Sequence, residues 1–216
     1  MFIATNTGLT LLAVGVLLVV LTAGNGASEP ASQAIVLLQK GNTAERREAT
    51  ALLIRYGDER AIQPLVHALR DADALVRHGA EQALWSIWQR SGDPDVDTRL
   101  HEGILAMQRG ALQEAVEIFT DVISMAPDFA EGYNKRATTY YLLHEYEKSL
   151  RDCAATIERN PVHFGALSGT GLNYMGLRNP VKALEYFQRA VEVNPNLTRI
   201  REYIEEIKRF LRDQTL

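Results

Sequence analysis

The chain has one cysteine, Cys153, and that scarcity removes several chemistries at once. A lone thiol forms no intramolecular disulfide, and there is no CxxC pair to hold zinc or run thiol exchange. Set within an apolar helical stripe, Cys153 reads as a small hydrophobe and not as a nucleophile. Charge of one sign is lacking too. With 23 basic and 27 acidic residues and a net charge of -4, there is no basic footprint for nucleic acid or for an anionic membrane surface.

Catalytic patterns are equally sparse. His67, His78, His101, His144 and His163 form no HExxH and no pair spaced for a shared metal, so they read as surface or helix-packing residues. There is no GxSxG elbow and no phosphate loop. The stretch GTGLNYMG at 169–176 lacks the third glycine of a dinucleotide loop and follows no strand; Gly165 and Gly169 read instead as sites of close helix contact. Asp93, Asp95 and Asp97 alternate like the start of a calcium loop. Thr98 and Ile104 stand where the turn glycine and bidentate acid are needed, so the acids read as a solvated linker that caps the next helix. No catalytic, cofactor-binding or metal-binding residue is expected, and the chain is not expected to be an enzyme.

Lys and Arg are missing from the start of the chain, where Lys40 is the first basic residue, and Gly8–Ala23 is an uncharged, Leu- and Val-rich run followed by small residues. Sixteen helical residues span about 24 Å, short of a hydrocarbon core of about 30 Å. Residues 1–27 are therefore expected to be a secretory signal peptide, giving an exported, periplasmic protein. The absence of a basic flank keeps an uncleaved inner-membrane anchor over residues 8–23 as the alternative. No cysteine follows the run, which excludes a lipoprotein anchor.

Proline is also scarce, with Pro 7 in the whole chain, yet three of them keep time. Pro127, Pro161 and Pro195 fall at one even interval, each just behind a run with helical apolar spacing. Proline cannot continue a helix, so each marks a boundary between units. Gly103, Ala137 and Gly171 keep the same step, as do Ala115, Ser149 and Ala183, and Ile123, Ile157 and Val191. Phe119 and Phe187 flank Cys153 in the middle unit, and His144 stands at the turn that Gly110 occupies in the first.

These residues resemble the tetratricopeptide repeat, a helix pair whose length of about 34 residues matches the interval between those prolines. The resemblance covers about 96–197 in three units (96–129, 130–163 and 164–197). After them Leu197, Ile200, Ile204, Ile207 and Leu211 line one face of a further helix in 198–216, expected to cap the array. A second, slightly shorter step links Arg46 to Arg77, Ala49 to Ala80 and Leu53 to Leu84. With LVRHGAEQAL, this resembles the short HEAT repeat of the phycobilisome-lyase type over 31–90. A linker at 91–98 joins the two parts. Two such units are marginal alone, since each buries its apolar face against a neighbour, and they are expected to pack against the later helices or at least to touch them. The expected fold class is all-α, a right-handed α-α superhelix or solenoid of two HEAT-like and three tetratricopeptide helix pairs plus a capping helix.

The resemblance implies that the first helix of each unit lines a concave face. Its inward side chains would be Leu100, Ile104 and Met107, then Asn134, Thr138 and Tyr141, then Ser168, Leu172 and Met175. Five are apolar and two of those are methionines, which suits a groove for a hydrophobic peptide. Family members that bind acidic chaperone tails carry Lys, Arg and Asn there; only Asn134 is of that kind. The expected function is a protein-interaction scaffold of the cell envelope, with a protein or peptide partner, no nucleic acid, and membrane contact only through the N-terminal segment. The alternative is a subunit of a bilin lyase-like enzyme acting through the HEAT units.

Overall fold

A computed structural model describes residues 28–213, so the signal-peptide or anchor segment lies outside the described residues. The helices are α1 (Ser28–Lys40), α2 (Thr43–Tyr56), α3 (Ile62–Ala68), α4 (Ala74–Trp88), α5 (Pro94–Gln108), α6 (Leu112–Met125), α7 (Ala130–Leu142), α8 (Tyr146–Arg159), α9 (Phe164–Gly176), α10 (Pro180–Val193) and α11 (Thr198–Asp213), with a 3-10 turn, Glu59–Ala61, before α3. No strand occurs among the described residues, and none of their helices is long and apolar enough to cross a membrane.

Local chemistry sets the helix ends. Asn42 and Glu45 form a reciprocal capping box at α2, and Asp73 caps α4 through the Leu75 and Val76 amides. Helix α5 already begins at Pro94, inside the 91–98 stretch expected to be linker. Proline suits a first helical position, where its missing N–H has no partner to lose, and Asp93 caps it by accepting from the Asp95 amide. Asp97 accepts from the Ser91 amide and hydroxyl. Two of the three acids are thus committed to the joint.

From α6 onward the step between the prolines is visible as structure. Leu112, Tyr146 and Pro180 begin the second helices, while Ala130, Phe164 and Thr198 begin the first helices. Helix α11 therefore stands where the first helix of a further pair would stand, burying Ile200, Ile204 and Ile207 against Ala183 and Phe187. The turn inside each pair needs a left-handed residue: Gly110 (φ 81), His144 (φ 60) and Arg178 (φ 56) supply it. Only glycine adopts that conformation without strain. Arg178→Gly is accordingly expected to raise the unfolding free energy by about 1 kcal/mol, readable as a higher urea midpoint at unchanged slope.

Pair packing follows a volume rule. A Cβ on Gly103 would lie 2.5 Å from the Phe119 ring, and one on Gly171 2.4 Å from the Phe187 ring. The ring of each second helix thus rests on the bare backbone of its first helix. The middle pair reverses the sizes, with Ala137 and Cys153 at the equivalent places.

Helices α1–α4 form a smaller two-hairpin module in which α2 packs on α1 and α4, and α3 on α4. Its repeated arginines do matching work. Arg46 reaches back to the Gly41 carbonyl at 3.1 Å, and Arg77 to the Ala72 carbonyl at 3.0 Å, each tying its helix to the preceding turn. The module packs against the later helices, as its small core requires. Phe164, Val162, Val193 and Leu197 join its apolar cluster, Arg77 Nε donates to Asn196 Oδ1, Asn196 Nδ2 donates to the Leu69 carbonyl, and Arg70 donates to the Glu192 and Val193 carbonyls.

Candidate functional site

The first helices of the array lie side by side, α7 touching both α5 and α9, whereas the second helices α6, α8 and α10 make no comparable contact with one another. One face is therefore built by α5, α7 and α9, and the expected inward residues can be located on it. Asn134, Thr138, Tyr141, Ser168 and Leu172 border a single cavity of about 160 Å³ between α7, α8 and α9. Ala137, Ser149 and Cys153 border the same space from the α7–α8 side, and Gly165, Gly169 and Asn173 from α9.

Other expected residues fall elsewhere. Leu100 is 2% exposed and packs into the core of the first pair. It is a structural residue, not a groove contact, because its side chain is taken up by the apolar core between α5 and α6. Ile104 and Met107 are half-buried against the same core, and Met107 Sδ accepts from Thr139 Oγ1 at 3.6 Å. Met175 is 40% exposed and does not border the cavity. Asn134 is buried and donates to Glu131 at 3.1 Å.

Beside the cavity lies a buried polar network that single-residue reading of the sequence misses. Glu131 and His163 are both fully buried. The Ala166 amide donates to His163 Nδ1 at 3.0 Å, capping α9, so the ring proton sits on Nε2 and is donated to Glu131 Oε2 at 3.0 Å. Lys135 pairs with Glu131 Oε1 at 3.0 Å. Burial acts to raise the Glu131 carboxyl, but the His163 bond and the Lys135 charge outweigh it and hold the group below its ordinary range. Among the described residues no group of three or more metal-ligating side chains could hold an ion. The detectable sequence signals were the i, i+4 spacing of Glu131 and Lys135 and a histidine just ahead of α9.

The network is roofed by aromatic rings from α4. Trp88 stacks on the His163 ring with centroids 4.4 Å apart, and Trp85 meets His163 and Phe164 edge-on. Lys135 Nζ lies 5.8 Å above the Trp85 ring. A Cβ on Gly165 would come within 2.5 Å of the indole, so only glycine admits Trp85 there. One end of the face is thus occupied by the chain itself, while the cavity bordered by Gly165 and Gly169 stays open. Burial pushes the Cys153 thiol that borders it up to about 11, which keeps the group uncharged at neutral pH.

Residues 164–197 match the family model described as tetratricopeptide repeat. A TPR repeat-containing protein of Rhizobium etli is 28% identical over 108 residues, which are 50% of this chain and 53% of that protein. The chain thus spans about half the length of that relative. Among solved structures, the TPR2B domain of yeast Sti1 in complex with pHsp70 superposes with a TM-score of 0.51 at 23% identity, over 54% of this chain and 98% of that one. The first TPR of Spaghetti, bound to the HSP90 peptide SRMEEVD, superposes with a TM-score of 0.52 at 21% identity, over 54% and 92%. This chain carries a tetratricopeptide repeat at 164–197, its described residues form an all-helical α-α solenoid, and its structural neighbours have the fold of tetratricopeptide domains.

Proposed function

We propose that the chain is a non-enzymatic interaction adaptor that holds a segment of a partner polypeptide on the face built by α5, α7 and α9. The carrying observation is the cavity that gathers Asn134, Thr138, Tyr141, Ser168 and Leu172 from two neighbouring first helices. Concave sites with apolar walls and a few convergent polar groups are where ligands bind. One structural neighbour with this fold is bound to an HSP90 peptide and another is in a complex with pHsp70, which supports a polypeptide as the class of ligand. The acidic tail of SRMEEVD is a poor match here. Lys135, a cation beside the cavity, is already committed to Glu131, and no charged side chain borders the cavity itself. An uncharged segment with hydrophobic anchors fits better.

Substitution of residues away from the core tests the reading. Peptides selected by display on the wild-type protein should bind Thr138→Arg, Met175→Arg at least tenfold more weakly, with stability within about 0.5 kcal/mol of the parent. Undiminished binding by the folded variant would move the site off this face.

The α1–α4 module, with its paired arginine ties, is proposed to be HEAT-like and to offer a second surface. Export to the cell envelope is proposed on the apolar run at 8–23 alone. N-terminal sequencing of the mature protein should then start near residue 24 or 28; a product starting at Met1 rules out cleavage.

A further inference from the structure

We infer that the cleft where the α1–α4 module meets the array is a second binding site, one that takes a monocarboxylate with an apolar body. Four turns converge on it: the α2–α3 turn at Gly57, the joint at Gly92, the α6–α7 turn at Asp128 and the α8–α9 turn at Asn160. Its volume of about 690 Å³ falls in the range of small-ligand sites, which favour junctions between packed units. It shares no bordering residue with the cavity of the α5, α7 and α9 face, so it stands apart from the adaptor reading. Ile62, Ile87, Phe129 and Val162 give it apolar walls, and Arg90 and Arg159 give it two cations.

Arg90 differs from the other arginines of the fold. Arg46 and Arg136 each grip a carboxylate with Nε and Nη2 together, on Asp71 and Asp152. Arg90 donates through Nη1 to the Ile54 carbonyl and the Ser86 hydroxyl and through Nη2 to the Gly57 carbonyl, while its Nε has no partner among the described residues. The acids near it are taken, Asp97 by Ser91 and Asp58 by Arg60. Burial accordingly pushes the Arg90 guanidinium below its ordinary value, whereas bonded carboxylates hold Arg46, Arg60 and Arg136 above theirs. A half-buried cation bonded only to neutral oxygens is fixed in place and lacks a counter-charge. Arg159 is in the same condition, donating to the Pro127 and Ala155 carbonyls and the Tyr133 hydroxyl with no acid paired to it among the described residues. The rim sets the charge of the ligand. Glu59 and Asp128 border the cleft, exposed and without a bonded cation among the described residues. Two such acids balance the two cations, so a dianion meets repulsion and a single carboxylate does not. That carboxylate can take the fork of Arg90 while its apolar body lies on the walls. A free aliphatic acid and the last residue of a polypeptide both offer this chemistry.

The probes are isocaproate and its neutral isostere isocaproamide, titrated into ¹⁵N-labelled full chain. The acid should shift the Gly57, Gly92 and Ala130 amides saturably and bind about tenfold more tightly than the amide, the difference a charge-assisted pair makes. Raising the salt should narrow that gap. Arg159→Gln, at an exposed position, should fold and weaken the acid several-fold. Arg90→Lys, which keeps the charge and loses the fork, should weaken it too. Arg109→Gln, which breaks only a surface pair with Glu114, should leave binding unchanged. N-acetyl-leucine with a free carboxylate identifies the source: tighter binding than isocaproate assigns the site to a polypeptide terminus, weaker binding to a free acid. Equal binding of isocaproate and isocaproamide, no saturable shift with the acid, or acid affinity unchanged in the folded Arg159→Gln variant would overturn the inference.

Discussion

Glu131→Ala is expected to lower the unfolding free energy by about 3–5 kcal/mol, the cost of breaking a buried charge pair by deleting one partner. The carboxylate takes hydrogen bonds from His163 Nε2 and Asn134 Nδ2 and the charge of Lys135. Removing it leaves the buried His163 and Asn134 donors without their acceptor and the partly exposed Lys135 without its counter-charge. Urea denaturation followed by tryptophan fluorescence is a direct reading, because Trp85 and Trp88 both lie on this network. The same carboxylate gives a pH signature. Its folded value is depressed, so its stabilisation is complete above the ordinary value of 4.5 and is lost as pH falls through the lower folded value. Glu131→Gln should flatten that acid limb of the stability profile; an unchanged limb would show that the network does not carry it.

Gly171→Ala is expected to cost about 2–3 kcal/mol, although alanine is the better helix former by about 1 kcal/mol. The added methyl would lie 2.4 Å from the Phe187 ring, whose side chain is fully buried and has no room to retreat. Phe187→Cys alone is expected to cost about 3–5 kcal/mol through the cavity it leaves. The double variant recreates the sizes found naturally at Ala137 and Cys153. It should therefore be more stable than the sum of the single changes predicts, by about 1 kcal/mol or more, the coupling expected of residues in contact. Additive losses in a double-mutant cycle would contradict the volume rule.

The volume rule also shows how much the sequence disclosed. Evenly recurring positions revealed three helix pairs, their turns and the small residues at Gly103, Ala137 and Gly171, because local packing imposes those residues one at a time. Helical phase fixes which way a side chain leaves the backbone, and Asn134, Thr138, Tyr141, Ser168 and Leu172 do border one cavity, while Met175 does not. Leu100 was misplaced because phase gives a direction and not the neighbours met along it, here the core between α5 and α6. Glu131 and Trp85 were overlooked, and His163 was read only as a surface or helix-packing residue, because their shared meaning comes from contact between α4, α7 and the α8–α9 turn, which are far apart in the chain. No periodicity records such a meeting. The single substitution of Cys153 for a ring, visible in the sequence as an irregularity, became informative only once the space beside it had walls.

Photo-crosslinking from the face itself probes the adaptor account most closely. A benzophenone side chain placed at Thr138, on the first helix of the middle pair, should capture one defined polypeptide segment in cells, while the same group at Glu117 on α6 should not. Capture from Glu117 with none from Thr138 would mean that partners engage the opposite face and that α5, α7 and α9 do not form the binding surface.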